Sequence, residues 1–134
     1  MEKQPKPNDS FKIITIEMRK FFFQQIGILK EKEQIELDQS ITAYASKNED
    51  QYDIQVAIKL NANCSSDELF CVDSVIVSKI EVNENFQEDS LNNMVAIIYS
   101  YLRPMVAQMT AMAKLPLLDL PPMNLEGFKV NIKP

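Results

Sequence analysis

The sequence predicts an α+β fold in which a four-stranded antiparallel sheet precedes one long C-terminal helix and a proline-rich extended arm. Residues 11–82 hold four segments that are rich in β-branched and aromatic residues or that alternate apolar with polar residues, as β-strands do. From Ser90 onward, apolar residues recur at intervals of three and four, which places them on one face of a helix. Because the strands come first and the helix last, we expect the helix to lie on one face of the sheet.

The length of 134 residues favours a single domain. The first ten residues, MEKQPKPNDS, are polar and contain two prolines. We therefore expect residues 1–10 to form a flexible N-terminal lead. Residues 11–134 then form the domain, and neither an internal repeat nor a low-complexity segment divides it.

The four predicted strands follow one another with short polar connections. The first begins at Phe11 and is apolar on both sides, so it is predicted to be covered on both faces or to lie at a subunit interface. The second strand, around residues 35–45, and the third, around residues 52–60, alternate apolar with polar residues and are joined by a short polar turn, which is typical of a hairpin. The fourth, LFCVDSVIVSKIEV, occupies residues 69–82.

The predicted helix carries the one long apolar stripe of the chain. Ser90 is the expected N-cap. Pro104 lies inside the pattern, so the helix is predicted to kink there or, alternatively, to divide into two shorter helices that meet at Arg103. The helix ends in LPLLDLPP, where prolines remove amide donors and force extended backbone. The stripe consists of Leu91, Met94, Val95, Ile98, Tyr101, Leu102, Met105, Met109 and Met112.

Charge and composition exclude several classes of function. The net charge of −5, from 19 acidic and 14 basic residues, argues against nucleic acid as the main partner, since phosphate binding needs a basic face. Polar and charged residues interrupt the long helix, so no membrane span is predicted. The N-terminal segment lacks the apolar core of a signal peptide, which favours a cytoplasmic location.

Catalytic chemistry finds little support in the sequence, and we expect the protein not to be an enzyme and to need neither a cofactor nor a metal. Histidine is absent, and Cys64 and Cys71 alone make a poor zinc site. Two glycines are too few for a glycine-rich phosphate loop, and no nucleophile-elbow motif occurs. An enzyme that uses Asp119 or Tyr101 as its acid/base group is the remaining alternative, although Asp119 fits a hydrogen bond to nearby backbone amides equally simply.

The segment from Tyr101 onward resembles the last helix and arm of the SecB export-chaperone family. Weaker similarity to the first, second and fourth strands of that family lies at Phe11-Lys12-Ile13, Ile35-Glu36-Leu37-Asp38 and Leu69-Phe70-Cys71, so the resemblance covers residues 11–128. The positions that match the helix–arm pattern without a gap are Tyr101, Arg103, Leu115-Pro116, Leu118-Asp119-Leu120, Pro122-Met123-Asn124-Leu125 and Phe128.

The resemblance implies a Greek-key-like four-stranded sheet, a long helix, a short terminal helix and assembly as a dimer of dimers. It also implies an ATP-independent holdase, which binds unfolded or nascent polypeptides and keeps them from aggregating. Methionine-rich apolar surface suits clients of varied sequence because it packs adaptably, and sheet edges could pair with extended clients. The residues expected to line the client groove are Phe22, Ile26, Ile28, Leu29, Leu118, Leu120, Met123, Leu125 and Phe128.

One side of the helix is expected to contact another subunit rather than the sheet. The residues assigned to that side have mixed polarity, and a solvated helix surface is the alternative interpretation. They are Tyr99, Arg103, Val106, Gln108 and Thr110.

The chain also departs from the family pattern. The family passes clients to the SecA motor through acidic residues of the sheet, and the matching positions here are Lys20 and Gln24, neither of which is acidic. The acidic C-terminal tail of the family is replaced by FKVNIKP. Both departures weigh against contact with SecA. A SecB-fold adaptor or dedicated chaperone for one partner, such as an antitoxin, is therefore the alternative to a general export chaperone.

Overall fold

A computed structural model describes residues 10–28, 34–64, 67–113, 128 and 130–133 of the chain. Of the predicted N-terminal lead, only Ser10 lies in these ranges, and its carbonyl accepts the amide of Asn83 at 3.1 Å. The described residues form five strands and one helix. In chain order these are β1 (Phe11–Gln25), β2 (Glu36–Asn48), β3 (Gln51–Cys64), β4 (Asp67–Val82), α1 (Ser90–Met112) and β5 (Asn131–Lys133).

The strands form one sheet in the order β1-β4-β3-β2-β5. Strands β2, β3 and β4 are successive antiparallel neighbours, and β1 lies antiparallel beside β4. This arrangement of the four long strands is the Greek-key-like order that was expected. The sheet as a whole differs from the prediction because a fifth strand, β5, runs parallel to β2.

The fifth strand corrects the expected short terminal helix. The end of the chain reads FKVNIK, in which Phe128, Val130 and Ile132 alternate with polar residues. Such an alternation has the period of a strand, not of a helix. Residues 131–133 accordingly pair with Tyr44, Ala45 and Ser46.

Strand β1 forms one edge of the sheet and is irregular. Its register against β4 shifts between Ile13 and Thr15 and again between Met18 and Lys20. Each shift is a β-bulge, which bends the strand and increases its twist. At the first bulge the Ser78 hydroxyl donates a hydrogen bond of 2.7 Å to the carbonyl of Thr15. The pairing of β1 with β4 is thus divided into three stretches.

The core lies between α1 and one face of the sheet. On β3 the even-numbered side chains from Tyr52 to Cys64 are buried, and on β4 those from Phe70 to Ile80. The register pairs even with even residues of these two strands, so both rows lie on one face. The buried side chains of α1 belong to the same apolar cluster. We call this side the helix face of the sheet and the opposite side its open face.

Helix α1 is continuous through 23 residues, with Pro104 inside it. The alternative of two shorter helices meeting at Arg103 is therefore wrong. The N-cap residue is Asp89 rather than Ser90, and no side-chain hydrogen bond caps this end.

The buried face of α1 differs from the predicted stripe in its second half. In the first half Leu91, Met94, Val95 and Ile98 are buried as expected. Beyond them burial continues at four-residue intervals, and the apolar residues Tyr101, Met105, Met109 and Met112 are not buried. The fully buried residues of the second half are Tyr99, Leu102, Val106 and Thr110.

The phenol of Tyr52 gives a prediction about alkaline pH. Burial, and secondly the nearby Glu88 carboxylate, raise the pKa of Tyr52 above its usual 10.0. The neutral phenol is therefore favoured in the folded state, so this stabilisation is present below pH 10 and is lost as pH rises through the raised pKa. We expect the free energy of unfolding to fall more steeply above pH 10 in the wild type than in Tyr52→Phe.

Urea unfolding followed by circular dichroism between pH 8 and 11 measures this difference. Equal slopes for the wild type and Tyr52→Phe would contradict the assignment.

Candidate functional site

Apolar side chains are exposed where β1 ends. Phe22 projects from the open face of the sheet, and Ile26 and Ile28 follow the strand. Their exposed fractions are 47%, 48% and 85%, respectively. We call these three residues the β1-end patch. All three were predicted to bind clients, and the structure places them at one end of one strand.

The backbone after β1 holds this patch in position. The amides of Ile26 and Gly27 both donate to the carbonyl of Leu69, at 2.7 and 3.0 Å. The side-chain amide of Gln25 donates to the carbonyl of Gly27 at 3.3 Å. A Cβ atom at Gly27 would lie 2.6 Å from the carbonyl oxygen of Glu68, which is closer than real contacts allow. The segment therefore needs glycine at this position to lie against the start of β4.

Phe128 lies apart from the β1-end patch. Its side chain packs against the core, and its carbonyl accepts the side-chain amide of Asn92 at 3.1 Å. The register links Asn131 through Tyr44 and Gln55 to Val77 of β4, whereas Phe22 pairs with Asp73. Four strand spacings of about 4.8 Å and four residues of about 3.3 Å separate Asn131, three residues beyond Phe128, from Phe22 by about 23 Å. The described residues do not join Phe128 and the patch into one groove.

Several predicted residues lie outside the described part of the chain. The expected proline-rich arm and the candidate acid/base residue Asp119 are among them. The groove residues outside the described ranges are Leu29, Leu118, Leu120, Met123 and Leu125.

The expected subunit-contact side of α1 needs correction. Tyr99, Val106 and Thr110 were placed on the side away from the sheet, but all three are buried within the single chain. The hydroxyl of Thr110 donates to the carbonyls of Val106 and Ala107 at 3.0 Å, so a polar side chain fits in the core without an unpaired group. The predicted placement of these three residues is wrong because the row of α1 that is buried in its second half runs through Val106.

Two members of that predicted set remain near the surface. Arg103 is half-buried and Gln108 is exposed. They lie on the same helix as a second apolar surface, which sequence reasoning had assigned to the core. We call this surface the outer helix stripe; Tyr101 and Met112 are exposed, and Met105 and Met109 are half-buried. Both rows recur every four residues, Tyr101, Met105 and Met109 in one and Leu102, Val106 and Thr110 in the other, so their spacing does not distinguish them.

The open face of the sheet carries a shallow concavity of about 790 Å³. Its floor includes the apolar side chains of Ile14, Val75 and Val77. Its charged residues are paired with one another: Arg19 contacts Glu17 at 2.9 Å and Lys79 contacts Asp53 at 4.0 Å. Exposed pairs of this kind add little stability, so they mainly balance the charge of the face.

Lys20 and Asp73 form another pair on the open face. The Lys20 ammonium donates to the Asp73 carboxylate at 2.8 Å. Lys20 occupies one of the two positions that the sequence comparison had matched to acidic residues. The lysine not only lacks the negative charge but also partners a carboxylate of β4, so this part of the face has no excess acidity.

The described residues offer neither a cluster of metal ligands nor a helix that could span a membrane. Within these ranges, no three or more cysteine, aspartate or glutamate side chains are grouped so that they could hold a metal ion. Helix α1 is not apolar enough over its length to span a bilayer. Cys64 is buried and Cys71 is half-buried.

Comparison with known proteins gives both a family and a fold. The family model of SecB, the preprotein translocase subunit SecB, matches residues 6–130. A search of curated proteins gives no significant match.

Two solved structures are similar in fold. The first is the SecB-like chaperone Rv1957 of Mycobacterium tuberculosis in complex with a ChAD peptide from the Rv1956 HigA1 antitoxin. It superposes with a TM-score of 0.73 at 13% identity, over 86% of this chain and 91% of that one. The second is a protein of unknown function from Streptococcus agalactiae, with a TM-score of 0.50 at 16% identity, over 83% and 96% of the two chains. At such identities the similarity establishes the fold alone.

Proposed function

The chain belongs to the SecB family, and from this premise we propose that it is an ATP-independent holdase that binds unfolded or nascent polypeptides through exposed apolar surface. The observation that supports the proposal most strongly is the β1-end patch. Phe22, Ile26 and Ile28 are large apolar side chains exposed together, held by a backbone that approaches β4 too closely for any residue but glycine. Large apolar side chains exposed near one another at the end of a strand are a candidate interaction surface.

The outer helix stripe is our candidate for self-association. Three of its four members are methionines. Met105 and Met109 are half-buried, and Tyr101 and Met112 are exposed. If a second α1 packed against this stripe, the side-chain ridges of each helix would fit into the grooves of the other, as they do between helices within a domain. The stripe would then be buried. We propose that the protein assembles through α1 into a dimer of dimers and acts in the cytoplasm, as a binding protein rather than an enzyme.

A dedicated chaperone for one partner, such as an antitoxin, is the second candidate. Two observations favour it: the Lys20–Asp73 pair leaves no excess negative charge where SecA contact would need acidic residues, and the structurally similar Rv1957 binds a peptide from an antitoxin. In this version the apolar surface is the same, but the client spectrum is narrow and there is no transfer to SecA.

A variant of the β1-end patch tests the proposed activity. We expect the wild type to suppress the aggregation of chemically denatured citrate synthase without nucleotide, measured by light scattering. The triple variant Phe22→Ser/Ile26→Ser/Ile28→Ser should need at least about tenfold more protein for half-suppression. Burying one such side chain stabilises a complex by about 1.5–3 kcal/mol, and about 1.4 kcal/mol corresponds to tenfold in affinity.

The matched control changes three polar side chains of the same strand, Lys12→Ser/Glu17→Ser/Gln24→Ser, and should leave suppression unchanged. If the wild type does not suppress aggregation at molar excess, the holdase proposal is wrong. If it protects only one co-purified protein, the dedicated chaperone is favoured. A solution mass of four chains by light scattering is expected, and a stable monomer would contradict the proposed assembly.

A further inference from the structure

The terminal strand β5 occupies only part of the edge it pairs with. It is three residues long and lies beside Tyr44, Ala45 and Ser46 at one end of β2. On the same edge, residues 36–42 of β2 have no strand beside them among the described residues. Their backbone groups on that side could therefore pair with a further extended chain.

The segment that ends in β5 is held firmly at one end and weakly at the other. Phe128 and Val130 pack against the core, and the Asn92 side chain donates to the Phe128 carbonyl. Beyond Val130, Ile132 is 40% exposed, and the side-chain amide of Asn131 reaches the carbonyl of Ala43 only at 3.4 Å. Exposed pairing with little buried apolar surface opens at low free energy. Residues 131–133 can therefore leave β2 while Phe128 and Val130 stay in place.

The side chains along β2 define what could pair there. Neighbours in a parallel pair share a face, so Ile132 lies on the helix face beside Ala45 and Asn131 on the open face beside Tyr44. Farther along the edge, Leu37 and Ile41 lie on the helix face and are half-buried, while Glu36 and Asp38 are exposed on the open face. An extended segment that alternates apolar with basic residues complements this edge, and FKVNIK approaches that pattern by alternating apolar residues with two lysines and an asparagine.

We propose that β5 is an internal competitor for the β2 edge. While β5 is paired, extended polypeptide cannot bind along the full length of β2; when β5 leaves, a segment that alternates apolar with basic residues adds as a strand parallel to β2. The inference rests on the proposed function, because it assumes that the protein binds extended polypeptide, and it adds a device that limits that binding.

The expected size of the effect follows from the population of the open state. The apparent affinity for a peptide is reduced by the fraction of molecules in which the edge is free. If β5 is paired in about nine molecules of ten, releasing it raises the apparent affinity about tenfold. Locking β5 in place should confine binding to residues 36–42 of β2 and so weaken it.

A release variant and a locked variant, both in the full chain, test the proposal. The release variant Asn131→Pro/Ile132→Pro removes two neighbouring amides, one of which faces β2 in an extended strand, and Ile132→Val is its conservative control. The locked variant Ser46→Cys/Lys133→Cys joins two register partners by a disulfide, since paired strands lie at a separation that a disulfide can span. It also carries Cys71→Ser, because that native thiol is only half-buried.

The probe is the synthetic peptide Phe-Lys-Val-Asn-Ile-Lys, labelled with fluorescein, and fluorescence anisotropy measures its binding. We expect about tenfold tighter binding to the release variant than to the wild type or Ile132→Val, weaker binding to the oxidised locked variant than to the wild type, and recovery after reduction. Equal affinity in all four proteins overturns the proposal, as does binding to the oxidised locked variant that is as tight as binding to the wild type.

The aggregation assay separates this proposal from the proposed function. Suppression of citrate synthase aggregation by the wild type, together with unchanged peptide binding in the variants, leaves the holdase standing and removes the role of β5. The reverse result, tighter peptide binding by the release variant without any suppression of aggregation, keeps the competitor and removes the holdase.

Discussion

Val106→Asp is expected to lower the free energy of unfolding by about 3–5 kcal/mol, the usual effect of leaving a buried charge without a partner. Val106 has no exposed surface and belongs to the row of α1 that packs in the core. A carboxylate there loses its hydration, and the described surroundings offer apolar side chains instead of a cation. The variant should unfold at much lower urea concentration, as measured by circular dichroism.

The matched control is Gln108→Asp, which adds the same carboxylate two residues away on the exposed side of α1. Its effect should stay within about 0.5 kcal/mol, as for most surface substitutions. A tolerated Val106→Asp together with a destabilising Gln108→Asp would mean that the two sides of the helix had been assigned in reverse. In that case the subunit contact predicted for Val106 would regain support.

Phe70→Ala should destabilise the fold by about 3–5 kcal/mol, the usual effect of removing a fully buried aromatic ring. The Phe70 side chain has no exposed surface, and its ring stacks on that of Phe23 with centroids 5.2 Å apart. Its removal leaves a cavity between β4 and β1 and deletes the ring contact. Urea unfolding measures the loss.

Phe22→Ala provides the control for this prediction. Phe22 neighbours Phe23 in β1 but lies on the open face with about half of its side chain exposed, so its truncation should change stability by about 1 kcal/mol or less. The same variant should weaken client binding, because Phe22 belongs to the β1-end patch. Equal destabilisation by the two truncations would contradict the assignment of the helix and open faces.

Local patterns were enough to predict the strands and the existence of the helix. The first strand was expected to begin at Phe11 and the fourth to end at Val82, and both limits agree with the structure. The alternation around β3 identified its buried row from Tyr52 to Leu60. These features depend on neighbours close in sequence, because strand and helix periods are local properties.

The features that were not predicted depend on long-range packing. The second half of α1 offers two rows of similar residues, one through Met105 and one through Val106, and only the position of the sheet decides which row is buried. The distance between Phe128 and Phe22 is set by the order of four strand pairings, which no local pattern contains. The strand period of FKVNIK was visible in the sequence, but its partner β2 lies more than eighty residues earlier.

The bulges of β1 bear on how the proposed holdase would avoid forming a fibril itself. Fibril growth adds strand after strand to a straight, uninterrupted edge. The long edge of β1 is bent twice, at Ile13/Thr15 and at Met18/Lys20, so an arriving chain meets a change of register after a few residues. The β1 edge therefore gives an extended chain no continuous strand along which to polymerise. Extended clients of the proposed holdase would instead contact the apolar side chains beside that edge.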